Sequence, residues 1–352
     1  MYNMWFTVVL VVILFALCLG AAAYETLMER KVAAFLQDRI GPNRAGIFGL
    51  MQPLCDGGKL FFKEDFVPKN AEKWLFIISP GILMLIALST GAVIPWGKSL
   101  FIAGESHLVQ VANIDVGVLY IMGIVSIGVY GIMLGGWASN NKYSLLGAIR
   151  ASSQMISYEL AMGLSLLSII MMTGTLDLRA MVEQQASNLY GLSFLNGMAW
   201  NVFYQPLAFV LFVTCSFAEL NRAPFDLAEC ESELIGGYHT EYGSMKFGTF
   251  LFAEYINMFI SSALISTLFF GGYSFPFMNE LAKNGTLGEN AIGIISIVAF
   301  LIKIVFCIFC FMWVRWTLPR FRYDQLMRLG WRVMIPLSIL NLLITATIVV
   351  FG

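Results

Sequence analysis

The run WFTVVLVVILFALCLGAAAY, residues 5–24, carries no charged side chain. As a helix rising 1.5 Å per residue, it is long enough to cross a hydrocarbon layer about 30 Å thick. Seven further apolar runs follow, near 74–96, 116–138, 145–173, 201–220, 247–272, 291–316 and 331–351. They are too long and too continuous for the alternating strands of a membrane barrel. The whole chain agrees: 59% of residues are hydrophobic, 12% are charged and the mean hydropathy is +0.77. A water-soluble domain carries roughly twice that charged fraction. The expected fold is therefore an all-α polytopic membrane protein, a single membrane domain over 1–352 with about eight transmembrane helices.

Basic residues set the expected orientation. Eight lie in 25–73 (Arg30, Lys31, Arg39, Arg44, Lys59, Lys63, Lys69, Lys73) and five follow the seventh run (Arg315, Arg320, Arg322, Arg328, Arg332). Lys142, Arg150, Arg222 and Lys246 bring that side to seventeen, against Lys98, Arg179 and Lys283 on the other. Lys303 falls inside a run, where it either pairs with a carboxylate or snorkels. Because cytoplasmic loops concentrate Lys and Arg, both termini are expected on the side opposite the cytoplasm. Gly20-Ala21-Ala22-Ala23 resembles a leader-cleavage site, but no basic residue precedes it, so the first run reads as a retained span.

The net charge of −1 argues against nucleic-acid binding. Six cysteines include a Cys307/Cys310 pair, but inside an apolar run without a second pair, so no metal or cluster is expected. With only His107 and His239, a histidine-ligated haem is not expected either. The first long loop holds an amphipathic helix over 53–63. Leu54, Gly57, Gly58, Phe61 and Phe62 share one face and Cys55, Asp56, Lys59 and Lys63 the other, as in a helix lying in the membrane interface. Gly128, Gly131 and Gly135 recur at helical spacing and predict close approach of a neighbouring helix.

The chemistry-bearing residues are acids. Glu159 lies midway along the fourth run, with Ser152 two turns earlier on the same face and Gln154, Ser157 and Tyr158 nearby. A carboxyl at that depth must be protonated, hydrated or paired. Glu254 repeats the pattern near the start of the sixth run and Glu219 at the end of the fifth. The loop that follows, NRAPFDLAECESEL, adds Asp226, Glu229, Glu231 and Glu233. Asp226-Leu-Ala-Glu229 is a capping-box pattern for a short helix ending near Gly236-Gly237. Capping leaves Glu231 and Glu233 unexplained. A solvated face and a row of proton-exchanging carboxyls both remain open for them. Glu25, Glu29, Arg30 and Lys31 end the first helix, either as interfacial anchors or as a polar opening toward a partner.

Taken together, Glu29-Arg-Lys31, Arg39-Ile-Gly-Pro-Asn43, Leu50-Met-Gln-Pro53 with Asp56, Gly136-Trp-Ala-Ser-Asn140, Ile156-Ser-Tyr-Glu159, Asn221-Arg222, Pro224–Glu229 with Glu231-Ser-Glu-Leu234, Ala253-Glu-Tyr255 and Pro319–Met327 resemble the NADH dehydrogenase subunit 1 family of the proton-pumping NADH:quinone oxidoreductases, respiratory complex I. The segments run in order along nearly the whole chain. Cys230 stands where that family commonly has Gly, and Cys55 where Ala is usual.

The resemblance implies a bacterial inner-membrane protein, or one of an equivalent energy-transducing membrane, under the hydrophilic arm. Partners would be the subunit that carries the terminal iron–sulfur cluster, the small membrane subunits beside the antiporter-like ones, and lipid. The substrate would be quinone, with no metal, flavin or cluster on this chain. Arg30, Gln37, Arg39, Asp56 and Phe225 would line or shape the quinone chamber. Glu159, Glu219, Asp226, Glu229, Glu231, Glu233 and Glu254 would form the acidic path for protons. Two competitors are the membrane anchor of a related hydrogenase or formate-lyase complex, and an independent proton-coupled carrier. The carrier would often show an inverted internal repeat, and none is visible.

Overall fold

The computed structural model describes residues 4–102, 104–187, 197–227, 235–278 and 288–351. The expected Glu229, Glu231 and Glu233, and the short helix containing them, lie outside these residues. Among the described residues, seven helices are long and apolar enough to cross a membrane. They are α1 (Met4–Leu36), α3 (Lys73–Thr90), α4 (Gly117–Ala138), α5 (Lys142–Thr173), α9 (Ser244–Phe269), α10 (Glu289–Thr317) and α11 (Tyr323–Phe351). The chain is an all-α polytopic membrane protein.

The run near 201–220 is not one helix. A short α7 (Asn201–Tyr204) stops at Gln205, and Pro206 opens the 14-residue α8 (Pro206–Glu219). Proline suits a first helical turn but cannot donate the bond that would continue the preceding one. At about 21 Å, α8 is shorter than a full hydrocarbon core. Other described elements are the amphipathic α2 (Gln52–Phe61), the half-buried α6 (Leu178–Gln185) and an antiparallel hairpin of β1 (Ser99–Ile102) and β2 (Glu105–Leu108). Leu54, Phe61 and Phe62 leave the apolar face of α2 exposed, as an interfacial helix requires.

Helix packing follows from small residues. A Cβ on Gly131 would stand 3.3 Å from Leu83, and one on Gly135 2.7 Å from Ser79 Oγ, so α3 and α4 meet along this glycine row. Ser79 donates to the Gly131 carbonyl there at 2.5 Å. Asn141 caps α5 by accepting from the Tyr143 amide, and Gly174 ends it in the left-handed region. The long α5 is the central support, in contact with α4, α8 and α11. Through Gln154 it also holds the loop after α8, donating to the carbonyls of Ala218 and Phe225 at 2.8 and 3.0 Å.

Among the described residues Lys303 meets no carboxylate, and it does not snorkel. Its ammonium donates to the carbonyls of Phe270, Gly272 and Ser274 at 2.7, 2.9 and 2.6 Å and lies over the Trp200 ring. Those carbonyls end or follow α9, where helical partners run out. The lysine therefore acts as a long-range C-cap. In α11, residues Gly330–Met334 form a π turn, and Gly330 packs on the Tyr158 ring.

Candidate functional site

The first helix runs past the expected end at 24 to Leu36, and Glu29, in this added part, finds ion-pair partners inside the protein. Cys18, Ala22, Glu25, Glu29 and Ala33 form one buried stripe at helical spacing. Glu29 is not an interfacial anchor. Its carboxylate accepts from Arg222 at 2.9 Å and from the Tyr255 hydroxyl at 2.9 Å, and pairs with Arg315 at 2.5 Å. Arg222 lies in the loop after α8, Tyr255 on α9 and Arg315 on α10, so one acid gathers four segments. The Arg222 guanidinium also stacks over Tyr255, 4.4 Å from the ring centre. Burial works against its charge, yet Glu29, Tyr255 and Glu254 together hold its pKa above the ordinary arginine value.

Next to this cluster is a cavity of about 300 Å³ lined by Thr26, Glu29, Arg30, Ala33, Arg39, Pro42, Tyr255 and Trp316. Two of the expected chamber residues, Arg30 and Arg39, line it, and Asp56 and Gln37 are bonded to them. Arg30 pairs with Asp56 at 2.7 Å, Gln52 also donates to Asp56, and Arg39 donates to Gln37 at 2.8 Å. Phe225, the fifth, does not line this cavity, though its amide donates to the Arg222 carbonyl at 2.8 Å. It is buried and packs edge-on to Tyr158 and obliquely to Phe321. A second, apolar cavity of about 480 Å³ lies between α1 and α10, lined by Val32, Phe35, Leu36, Phe309 and Trp313.

The expected acidic path resolves into two groups. Glu159 takes the Ser126 hydroxyl of α4 as its donor, while Ser152, read from the sequence as its companion, turns back to the Ile149 carbonyl. Glu159 lies within electrostatic range of Glu219 at the end of α8. In the second group, Glu254 accepts from Tyr238 at 2.7 Å and interacts electrostatically with Arg222, Asp226 and His239. Asp226 pairs with Arg320 at 3.0 Å. Burial pushes its carboxyl above the usual aspartate range, against the pull of Arg320 and Arg315. Burial likewise lowers the His239 pKa.

Arg222, Tyr255 and Arg315 join this cluster without having been named as candidates from the sequence, and Glu29 had been read there only as an anchor or a polar opening toward a partner. Each lay in a quoted or counted segment. The missing signal was their partnership, which joins positions as far apart as 29 and 315. Among the described residues no group of histidines, cysteines and acids has metal-binding geometry.

A family profile described as "NADH dehydrogenase" matches residues 8–346. The chain is 60% identical over 337 residues to the NADH-quinone oxidoreductase H subunit of Flavobacterium psychrophilum, covering 96% of this chain and 95% of that protein. It is 58% identical over 341 residues to the corresponding H subunit of Flavobacterium johnsoniae, with 97% and 94% covered. NADH-quinone oxidoreductase subunit 8 of Rhodothermus marinus is 45% identical over 344 residues, with 97% and 96% covered.

Proposed function

This chain belongs to the family of NADH-quinone oxidoreductase H subunits, and from that premise we propose that it forms part of the quinone chamber and links quinone reduction to proton translocation through its buried carboxyls. The observation that carries the reading is Glu29, which lines the polar cavity and is bonded through Arg222 to the loop that begins the acidic region. A quinone head needs a few convergent polar groups, and its isoprenoid tail an apolar sheath. Arg30, Arg39, Glu29 and Tyr255 supply the first, and the cavity between α1 and α10 supplies the second.

Reduction adds two electrons and two protons to the head. Any change of charge there alters how Arg222 divides its attraction between Glu29 and Glu254. Glu254 in turn faces Asp226, so the charge change is felt at the start of the acidic loop. Glu159, which takes a serine hydroxyl as its donor, and its neighbour Glu219 continue the acidic path deeper in the membrane domain. The electrons come from the cluster of a partner in the hydrophilic arm, which docks on the basic loops. Both termini then lie opposite the cytoplasm, and the small membrane subunits next to the antiporter-like ones take up the proton path.

Two variants of the whole complex test the reading. Asp56→Ala frees Arg30 and is expected to slow quinone reduction while leaving NADH oxidation by an artificial acceptor intact. Glu219→Gln is expected to suppress pumping in proteoliposomes with assembly retained. Undiminished quinone reduction in the first and full pumping in the second would refute the chamber and the path respectively.

A further inference from the structure

Glu25 stands out in a site where other acids are well bonded. It is 4% exposed, and neither carboxyl oxygen has a hydrogen-bond partner among the described residues. It lies one helical turn before Glu29 on the buried stripe of α1, where side chains at i and i+4 stand about 6 Å apart at Cβ. The titratable and charged groups that face it are Cys18 and Glu29 on α1 and Arg222 from the loop after α8. Behind Glu29, Tyr255 of α9 and Arg315 of α10 complete the surroundings.

A bare carboxylate in such a place would be strongly disfavoured, since nothing replaces its lost hydration. Glu29, by contrast, is given three donors and is built to be ionised. The arrangement is thus a neutral acid one turn behind an ionised one, with a guanidinium beside both. We propose that Glu25 is a proton reserve for Glu29, resting on the reading of the Glu29 cavity as the quinone-head site. The transfer is balanced. Since neither Glu25 oxygen bonds Glu29 directly, the transfer runs through one intervening water: the O–H bond of Glu25 breaks with its electron pair staying on Glu25, the water takes that proton and releases one of its own, and an O–H bond forms on the Glu29 carboxylate. Arg222 turns from one anion to the other, so the charge of the pair is unchanged. Glu29 then presents a proton at the cavity wall, where quinone reduction consumes it.

The test uses the intact complex carrying Glu25→Gln, an isosteric neutral replacement that suits a buried site, and Glu25→Asp, which retains the acid. NADH oxidation by an artificial acceptor controls for assembly. Infrared difference spectra on quinone reduction are expected to show a protonated-carboxyl band in the parent. That band is lost in Glu25→Gln and kept, shifted in position, in Glu25→Asp. Quinone reduction in Glu25→Gln is expected to fall off at lower pH than in the parent on the alkaline side, with the acidic side unaffected. A purely structural role would lower the rate evenly across pH. An unchanged band with an unchanged pH profile in Glu25→Gln would overturn the proposal. If Glu29→Gln and Asp56→Ala slow quinone reduction while that band persists in Glu25→Gln, only the reserve fails. If neither slows it, the cavity reading itself fails.

Discussion

Glu29 and Glu159 are both carboxyls on long apolar helices, but their surroundings differ. Glu29 is bonded to two guanidiniums and a phenol drawn from three other segments. Glu159 has one serine hydroxyl and a second acid within electrostatic range. The first environment stabilises a permanent charge and holds helices together. The second holds an acid by one neutral donor beside another acid. One fold therefore contains a fixed electrostatic joint beside the polar cavity and, elsewhere, the acids to which proton exchange is assigned in the proposed function.

The sharpest way to break this contrast is to remove the shared cation. Arg222→Met leaves Glu29 buried with one guanidinium and strips Glu254 of its nearby charge. Breaking a buried pair by deleting one partner is worth about 3–5 kcal/mol. The expected outcome is low yield of assembled complex, with quinone reduction and acceptor-linked NADH oxidation both reduced per membrane. Pairing it with Glu29→Gln in a double-mutant cycle should recover part of the loss, since the orphaned acid is then neutral. A strictly additive double variant would show that the two side chains do not act as a joint.

A smaller effect is expected at Ser126. Ser126→Ala removes the hydroxyl donor to Glu159, a loss of about 1–3 kcal/mol if the carboxyl is left unsatisfied. Pumping should then lose efficiency, with quinone reduction and assembly largely kept. Thermal unfolding of the complex and proton uptake per quinone reduced would separate the two effects. If Ser126→Ala destabilised the complex as much as Arg222→Met, the distinction between joint and exchanger would fall.

How far the sequence revealed this depends on the range of each interaction. Apolar runs of bilayer length disclose α1, α3, α4, α5, α9, α10 and α11, because each helix satisfies its own backbone. The same logic failed at 201–220, where Gln205-Pro206 was a visible break that the apolar composition masked. It also ended α1 too early, since Glu25 and Glu29 look like a boundary until Arg222 and Arg315 are brought to them. Lys303 shows the extreme case. Its partners are backbone carbonyls near residue 270, and no residue type marks a carbonyl that lacks a partner. The Arg30–Asp56 and Arg39–Gln37 pairs join residues close in the chain or brought together by one amphipathic helix, a short range that sequence segments can display. Phe225 was not legible in that way, since its environment is set by α5 and the segment before α11.

Asp226 lies between the two kinds of acid and gives the finest test. It has a guanidinium partner, Arg320, but that partner is 40% exposed, and one carboxyl oxygen has no partner among the described residues. Burial raises its pKa above the unfolded value despite Arg320. Such a group favours the folded state below the unfolded pKa, and that contribution is lost as pH rises through the folded one. Asp226→Asn is neutral throughout and does not lose it. The variant should therefore gain stability relative to the parent as pH rises through the acidic range, by about 1 kcal/mol or less, as for other half-exposed pairs. Melting curves of the complex at a series of pH values would show it. A relative gain on acidification instead would mean that Arg320 outweighs burial, placing Asp226 with Glu29 among the fixed charges.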